Sequence, residues 1–415
     1  MRKFLLICLA VVISLGMMAG SQVQASEEPI KFGAVNPLGD ITGAQGARAM
    51  ELAVEQLNED GGILGREVEL TVIDSEMSPE VGASAIDRLA TVEDVDFLVG
   101  GMSSAVHMAQ IPVMRRHEII TVWMGGASHE IERAVGPEAD WYFHIHPWDY
   151  QQGASYAEGW KDIQAEYEEI VIEDFYLAYE EGSFGTDSYE SYVEYFDMAQ
   201  EGEGPYAGLM KDLGGESFQS AAVGGGDYGA MLDHAMTYDP DIFVWAGYDA
   251  DAVPMLSQAR EMGFEPPILV GSPPGWPEGF ADNPLSENVM LYQMWAPAIN
   301  EVSPEAQEFW DDYIEKFDEE PATYFAPLGY TNIMFIAEAV EEAGTLEDEA
   351  VIEALRSIEY DSPIGRTLDI SPSRIISNQG FSDQMILQYQ EGQQEVLWPL
   401  ELSTAEPVYP FEWDR

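Results

Sequence analysis

The stretch "VDFLVGGMSSAVHMAQIPVMRR" at residues 95–116 contains three local patterns in a fixed order. The run "VDFLV" is short and apolar, as buried parallel strands are, whereas "AVHMAQIPVMRR" places its apolar residues at helical spacing. Between the two runs lie Gly100, Gly101, Ser103 and Ser104. The stretch therefore predicts a strand, a turn with bare backbone and two hydroxyl groups, and a helix.

The same unit recurs on both sides of this stretch. The predicted strands are "IKFGAV", "EVELTVID", "IITVWMGG", "DFYLAYE", "YDPDIFVWAGY" and "PPILVGS", and helical patterns separate them. Alternating strands and helices predict right-handed crossovers and parallel sheets that are covered on both faces. A chain of 415 residues exceeds one typical core, so two such domains are expected.

The first 25 residues have the features of a secretory signal peptide. Arg2 and Lys3 precede a long apolar run, and "VQA" ending at Ala25 is a small-residue cleavage site. Cys8 is the only cysteine and lies inside that run, so neither a disulfide nor a lipid anchor is expected in the mature chain. No later segment has the roughly 18 apolar residues that span a bilayer. The sequence predicts an exported protein that does not span the membrane.

The charge of the chain is strongly negative, with 76 acidic and 17 basic residues and a net charge of −59. Such a chain repels phosphate groups, so nucleic acids and anionic membranes are poor partners. Much of the acid falls on predicted helix faces such as "EAQEFWDDYIEKFDEE". We interpret it as a solvated surface adapted to high salt, which screens the repulsion between like charges.

Three segments carry a family resemblance: "IKFGAVNPLGDITGAQGARAMELAVEQLNED" with its continuation to residue 106, "DYGAMLDHAMTYDPDIFVWAGYDADAVPMLSQAREMGF", and "ATYFAPLGYTNIMFIAEAVEEAG". In this order they resemble type I periplasmic solute-binding proteins of the branched-chain amino acid ABC transporter class. The resemblance implies an α/β fold of two Rossmann-like lobes joined by three crossover segments, with a ligand enclosed between them. It also implies that a membrane permease recognises the closed form, and we expect the protein to be monomeric.

On this basis the chain divides into a signal peptide and two lobes. The signal peptide is 1–25. The N-terminal lobe takes 26–146 plus 296–363, and the C-terminal lobe takes 147–295 plus 364–415.

Ligands of open α/β sheets bind at the carboxyl ends of the strands, where loops present amides and helix N-termini. Ser103 and Ser104 offer hydroxyl groups at such an end, and the helix after them suits a carboxylate; the alternative is that they only cap the helix. The resemblance implies that Ser104 binds the carboxylate of the ligand. It also implies that Gly126 and Ser128 hold the amino and carboxylate groups, although Ser128 can equally cap the helix "HEIERAV".

Across the cleft, the resemblance places Tyr248 at the ligand, Phe184 where the family often has a tyrosine, and Gln45 near another such position. The largest departure is "VGSPPGWPEG", which lacks the acidic residue that commonly pairs the ligand ammonium. Because a buried ammonium without a counter-charge costs several kcal/mol, Asp249 from the neighbouring loop replaces the acid or the ligand has no α-amino group. Trp276 is a candidate wall of such a pocket, although a tryptophan is more often part of the core.

Other motifs are weaker. His144, His146 and Asp149 in "HIHPWD" have metal-like spacing, but they lie at a predicted crossover and lack further ligands. The stretch "GGGDYG" lacks the Lys and Ser/Thr of a phosphate loop, and no G-x-S-x-G elbow or cysteine nucleophile is present. We therefore predict no catalytic residue, no metal and no cofactor.

The function predicted from the sequence is an extracytoplasmic substrate-binding protein of an ABC importer. It binds a branched-chain or related amino acid in the cleft by hinge closure. The alternative is a receptor for an aromatic or aliphatic carboxylate or a short amide, and a secreted hydrolase is the least favoured reading.

Overall fold

The computed structural model describes residues 28–197, 209–277 and 279–413, so the predicted signal peptide lies outside it. The first sheet has five parallel strands in the order β2-β1-β3-β4-β5. Its strands are β1 (Ile30–Asn36), β2 (Val68–Asp74), β3 (Phe97–Gly100), β4 (Thr121–Trp123) and β5 (Tyr142–His144). The connecting helices are α1 (Ile41–Glu59), α2 (Pro79–Arg88), α3 (Ser104–His117) and α4 (His129–Val135).

The second sheet has seven strands in the order β14-β13-β10-β9-β8-β6-β7. Its strands are β6 (Asp174–Glu180), β7 (Lys211–Phe218), β8 (Ile242–Ala246), β9 (Ile268–Gly271), β10 (Met290–Gln293), β13 (Met385–Gln390) and β14 (Gln393–Trp398). Its helices are α5 (Asp149–Glu166), α6 (Ser183–Phe196), α7 (Gly229–Met236) and α8 (Asp249–Met262). Strands β6 to β10 are parallel, whereas β13 and β14 extend the sheet as an antiparallel hairpin.

The chain returns to the first sheet after β10. The returning elements are α9 (Pro304–Phe317), α10 (Phe325–Ala343), α11 (Asp348–Ser357) and the hairpin of β11 (Tyr360–Ser362) and β12 (Arg366–Leu368). A Cβ atom on Gly329 of α10 would lie 2.3 Å from the backbone oxygen of Gly46 in α1, so the two helices touch through bare backbone. Asn332 of α10 accepts a hydrogen bond from the Gly100 amide (3.1 Å) and donates one to the Val122 carbonyl (3.2 Å).

We call the first sheet with α1–α4 and α9–α11 the first lobe, and the second sheet with α5–α8 the second lobe. The predicted alternation of strands and helices and the two-lobed α/β fold are confirmed. The predicted lobe boundary at 363/364 stays a prediction, and residues 378–380 lie beside β5 of the first sheet. There the His144 amide donates to the Asn378 carbonyl (3.0 Å), and the Gly380 amide donates to the His144 carbonyl (2.8 Å).

Among the helices that the structure describes, none combines the length and apolar character required to cross a bilayer.

Candidate functional site

The carboxyl ends of β3 and β4 in the first lobe face those of β8 and β9 in the second lobe across an enclosed cavity. Its walls include Ser104, Gly126 and His146 from the first lobe and Phe184, Tyr248 and Ser272 from the second. The volume of the cavity is about 20 Å³, which is enough for about one water molecule. The lobes are therefore in close contact around this cavity, and an organic ligand fits between them only when the lining side chains move apart.

The turn after β3 shows why two glycines precede the serines. Gly100 and Gly101 have φ angles of +102° and +95°, which favour glycine. A Cβ atom on Gly101 would lie 2.0 Å from Nε1 of Trp123. The bare backbone thus makes room for neighbouring protein groups.

Ser103 and Ser104 have different roles at the start of α3. Ser104 is 1% exposed, lines the cavity, and its Oγ accepts a hydrogen bond from the Ser128 amide at 3.3 Å. Ser103 occupies the N-cap position but makes no capping hydrogen bond with its side chain. Its hydroxyl instead contacts the Tyr248 phenol of the second lobe. The alternative prediction that the Ser103 side chain caps the helix is therefore wrong.

Gly126 lines the cavity, whereas Ser128 does not. The Ser128 hydroxyl accepts a hydrogen bond from the Glu130 amide at 3.3 Å, which caps α4. It also donates to the buried Asp187 carboxylate of α6 in the second lobe. Ser128 thus acts both as a helix cap and as a connection between the lobes.

An aromatic wall forms the second-lobe side of the cavity. Tyr248 follows β8, and its ring centroid lies 5.8 Å from that of Phe184 at the start of α6. Tyr156 of α5 and Tyr292 of β10 stack at 3.7 Å, and Tyr324 closes the first-lobe side. The last three residues were not predicted, because each lies in a different segment and no local motif marks it.

The cavity lining is electrically neutral. Among the described residues that line it, none is Asp, Glu, Lys or Arg. Burial lowers the pKa of His146 to about 3, so its imidazole is neutral and pairs with the Tyr324 hydroxyl at 3.1 Å. Burial also raises the pKa of Tyr248 far above its ordinary value. Polarity in the cavity comes from hydroxyls, side-chain amides such as Gln152, and the N-terminus of α3.

Two predicted site residues, Trp276 and Gln45, lie outside this cavity and line a neighbouring pocket. Trp276 is 1% exposed and packs on Phe280 (centroids 4.9 Å apart) and edge-on to Trp245 (5.7 Å) in the second lobe. Gln45 accepts a hydrogen bond from the Ala322 amide at 2.7 Å and so fixes the loop before α10. Neither side chain lines the cavity.

Asp249 lies at the start of α8, in a separate acidic pocket at the edge of the cleft. The other acidic residues of this pocket are Asp40, Asp74 and Glu76 of the first lobe. Burial, together with the adjacent Asp40 carboxyl, raises the pKa of Asp249 to about 8. Of the nine predicted ligand-binding residues, four line the cavity: Ser104, Gly126, Phe184 and Tyr248. Their contact with a ligand stays a prediction.

His144, His146 and Asp149 have separate partners. His144 stacks on Trp148 with centroids 3.7 Å apart, and burial lowers the pKa of its imidazole to about 4. Asp149 instead contacts His129, whose Nδ1 lies 2.6 Å from its carboxylate. The three side chains of "HIHPWD" therefore make packing and hydrogen-bond contacts where the chain crosses between the lobes.

Comparison with known proteins agrees with this architecture. The sequence model of a family described as "Periplasmic binding protein" matches residues 29–392. The Leu/Ile/Val-binding protein homolog 7 of Brucella abortus is 24% identical over 371 residues, covering 85% of this chain and 86% of that protein.

Two solved structures share the fold. A branched-chain amino acid transporter substrate-binding protein of Streptococcus pneumoniae, in complex with isoleucine, has a TM-score of 0.72 at 21% identity, with 92% of this chain and 100% of that chain covered. A solute-binding protein of an ABC transporter from R. palustris, in complex with benzoate, has a TM-score of 0.73 at 18% identity, with 93% and 98% covered. The chain belongs to the periplasmic binding protein family and has the type I fold of the Leu/Ile/Val-binding proteins.

Proposed function

We propose that this protein is an exported receptor that encloses a small organic carboxylate with an apolar or aromatic body and delivers it to an ABC permease. The observation that carries the proposal is the neutral, aromatic cavity between the lobes. Family membership and the predicted signal peptide support export and a role in import. The predicted lack of catalysis, the monomeric state and the permease contact belong to the same proposal.

The choice of a carboxylate follows from charge. An ammonium enclosed without a carboxylate partner loses its hydration and costs several kcal/mol. A carboxylate finds the Ser104 hydroxyl and the partial positive charge at the N-terminus of α3. Asp249, the substitute ammonium partner suggested by the sequence, lies in the neighbouring acidic pocket.

A branched-chain amino acid is the second candidate. It is favoured by the Leu/Ile/Val-binding relatives and by the isoleucine complex of the Streptococcus pneumoniae protein. The benzoate complex of the R. palustris protein supports the carboxylate. The same fold therefore occurs with both ligand classes, and the residues that line the cavity decide between them.

Binding is expected to proceed through closure of the lobes. The closed arrangement is joined by Ser103 with Tyr248, by Ser128 with Asp187, and by the Thr323 hydroxyl that donates to the Pro274 carbonyl at 3.0 Å. A ligand that contacts both walls binds the closed arrangement more strongly than the open one. Only this difference in affinity shifts the population toward closure.

A thermal-shift screen tests the ligand class, because a bound ligand stabilises the fold by RT ln(1 + [L]/Kd). Each amino acid is paired with its deaminated analogue: phenylalanine with 3-phenylpropanoate, and leucine with 4-methylpentanoate; benzoate is included alone. We expect the carboxylates to raise the melting temperature and the amino acids to leave it unchanged. A shift with leucine or phenylalanine but not with its analogue refutes the carboxylate and supports the second candidate.

Turnover distinguishes a receptor from a secreted hydrolase, the reading from another class. The compound that shifts the melt is incubated with an equal concentration of protein and then recovered by chromatography. We expect one equivalent to bind and all of it to be recovered unchanged. Consumption of the compound overturns the receptor proposal.

A further inference from the structure

A second group of polar side chains lies between α4 of the first lobe and α6 of the second lobe. His129, Asp187 and Glu190 place one potential metal-ligand atom each within 4.8 Å of one another. His129 belongs to the first lobe, and the two carboxylates belong to the second. None of the three lines the interlobe cavity, so they form a separate group.

The imidazole of His129 is held in a fixed orientation. Its Nδ1 lies 2.6 Å from Oδ2 of Asp149, whose side chain has 0% exposure. A carboxylate at Nδ1 keeps the proton on that nitrogen, which leaves Nε2 as the nitrogen for a metal ion. The hydrogen bond to Asp149 also raises the pKa of His129 to about 8, so an ion that binds there takes the place of a proton on Nε2. Nε2 lies 3.4 Å from Oε1 of Glu130, an atom that also accepts a hydrogen bond from the Arg133 guanidinium. Metal-binding histidines are commonly oriented by such a carboxylate.

The two carboxylates differ in exposure in a way that suits an ion entering from solvent. Asp187 is 6% exposed, and the Ser128 hydroxyl holds its carboxylate in place. Glu190 is exposed and forms the outer side of the group. One imidazole nitrogen with two carboxylates, and water in the fourth position, is a donor set for Zn²⁺ and related divalent transition metals.

We propose that His129, Asp187 and Glu190 bind a divalent transition-metal ion of the Zn²⁺ class that bridges the two lobes. Because its ligands come from both lobes, the complete site exists only in the closed arrangement, and the ion stabilises that arrangement. By linkage, the ion and the solute in the cavity increase each other's affinity. The metal site itself does not depend on which solute the cavity binds.

Isothermal titration of the metal-stripped protein with ZnCl₂, without organic ligand, tests the site. We expect one ion per chain, and at least about a tenfold loss of affinity in His129→Gln and in Glu190→Gln. Because Glu190 is exposed, its substitution does not disturb the core. The control is His234→Gln: His234 is an exposed histidine whose Nδ1 lies 2.8 Å from Glu216 within the second lobe. This variant is expected to keep the wild-type affinity.

Small-angle scattering with and without ZnCl₂ provides the second readout. We expect Zn²⁺ to decrease the radius of gyration of the wild type and of His234→Gln, but not that of His129→Gln. The proposal is overturned if the wild type does not bind Zn²⁺, if His129→Gln or Glu190→Gln keeps full affinity, or if His234→Gln loses as much. Equal affinity for Mg²⁺ refutes the assignment to the transition-metal class.

Discussion

The carboxyl groups of Asp40 and Asp249 meet where the lobes close, and this contact predicts that closure depends on pH. Asp40 caps α1 by accepting from the Thr42 amide at 2.9 Å, and Asp249 is the first residue of α8. Acidic groups face Asp249 from every side: Asp40 with Asp74 and Glu76 from the first lobe, and Asp251 from its own helix. Burial, together with the carboxyl groups of Asp40 and Asp251, raises the pKa of Asp249 from 3.8 to about 8.

The sign of the effect follows from the raised pKa. A carboxyl whose pKa is higher in the closed arrangement favours that arrangement when it is protonated. The stabilisation is fully present below pH 3.8 and is lost as the pH rises through about 8. The difference between these two pKa values corresponds to a limit of about 6 kcal/mol. Because the lobes separate and hydrate the carboxylate, the cost is capped at the free energy of opening.

Asp249→Asn removes this charge and keeps the size of the side chain. Near pH 5 we expect the variant and the wild type to have the same radius of gyration in molar NaCl. Near pH 9 we expect the wild type to open and the variant to stay closed. The control is Asp74→Asn, because Asp74 lies in the same pocket and accepts from the Leu38 amide at 3.0 Å, which an asparagine oxygen also does. It is expected to keep the wild-type pH dependence.

Small-angle X-ray scattering across this pH range measures the opening, and thermal melts at each pH show whether each variant is folded. The reasoning is refuted if the wild-type radius of gyration is independent of pH, or if Asp249→Asn opens at the same pH as the wild type. The reasoning is also refuted if Asp74→Asn stays closed near pH 9 as Asp249→Asn does. The opening would then depend on the total charge of the pocket and not on Asp249.

Three further measurements follow from the site and the charge. Ser104→Ala should weaken a carboxylate ligand by about 1.5–3 kcal/mol in a calorimetric titration, since a hydrogen bond to a charged group is lost; unchanged affinity removes Ser104 from the site. Gly101→Ala should lower the melting temperature, because its φ is +95° and the new methyl group meets Trp123; a wild-type melt contradicts the packing described. Removal of salt should also lower the melting temperature, since the Debye length grows from about 3 Å in molar salt to about 30 Å at 0.01 M; equal midpoints refute salt adaptation.

The sequence predicts those parts of the fold that depend on the local periodicity of apolar residues. The strand, turn and helix at 95–116 correspond to β3 and α3, which begin at Phe97 and Ser104. The antiparallel hairpin of β13 and β14 and the pairing of Gln379 with His144 were not predicted. These contacts join segments far apart in sequence, and period alone does not reveal which strands pair.

The candidate site was predictable only in its strand ends. Ser104, Gly126 and Tyr248 follow β3, β4 and β8, and parallel strands bring such positions to one edge. Trp276 also follows a strand end, yet its ring turns away from the cavity to pack on Phe280. The direction of a loop side chain depends on what its neighbours leave open, so its position in sequence does not decide it.

The negative charge of the whole chain and the neutral lining of the cavity are both compatible with binding a carboxylate. A net charge of −59 repels a carboxylate in dilute buffer, whereas molar salt screens that repulsion beyond a few Å. An acidic group inside the cavity would act within that distance, where salt does not screen it. A receptor for a carboxylate therefore tolerates acidic residues over its surface but not in its binding site. This distribution is the one observed, because Asp40, Asp74 and Asp249 lie in the neighbouring pocket and hydroxyls, amides and aromatic rings line the cavity.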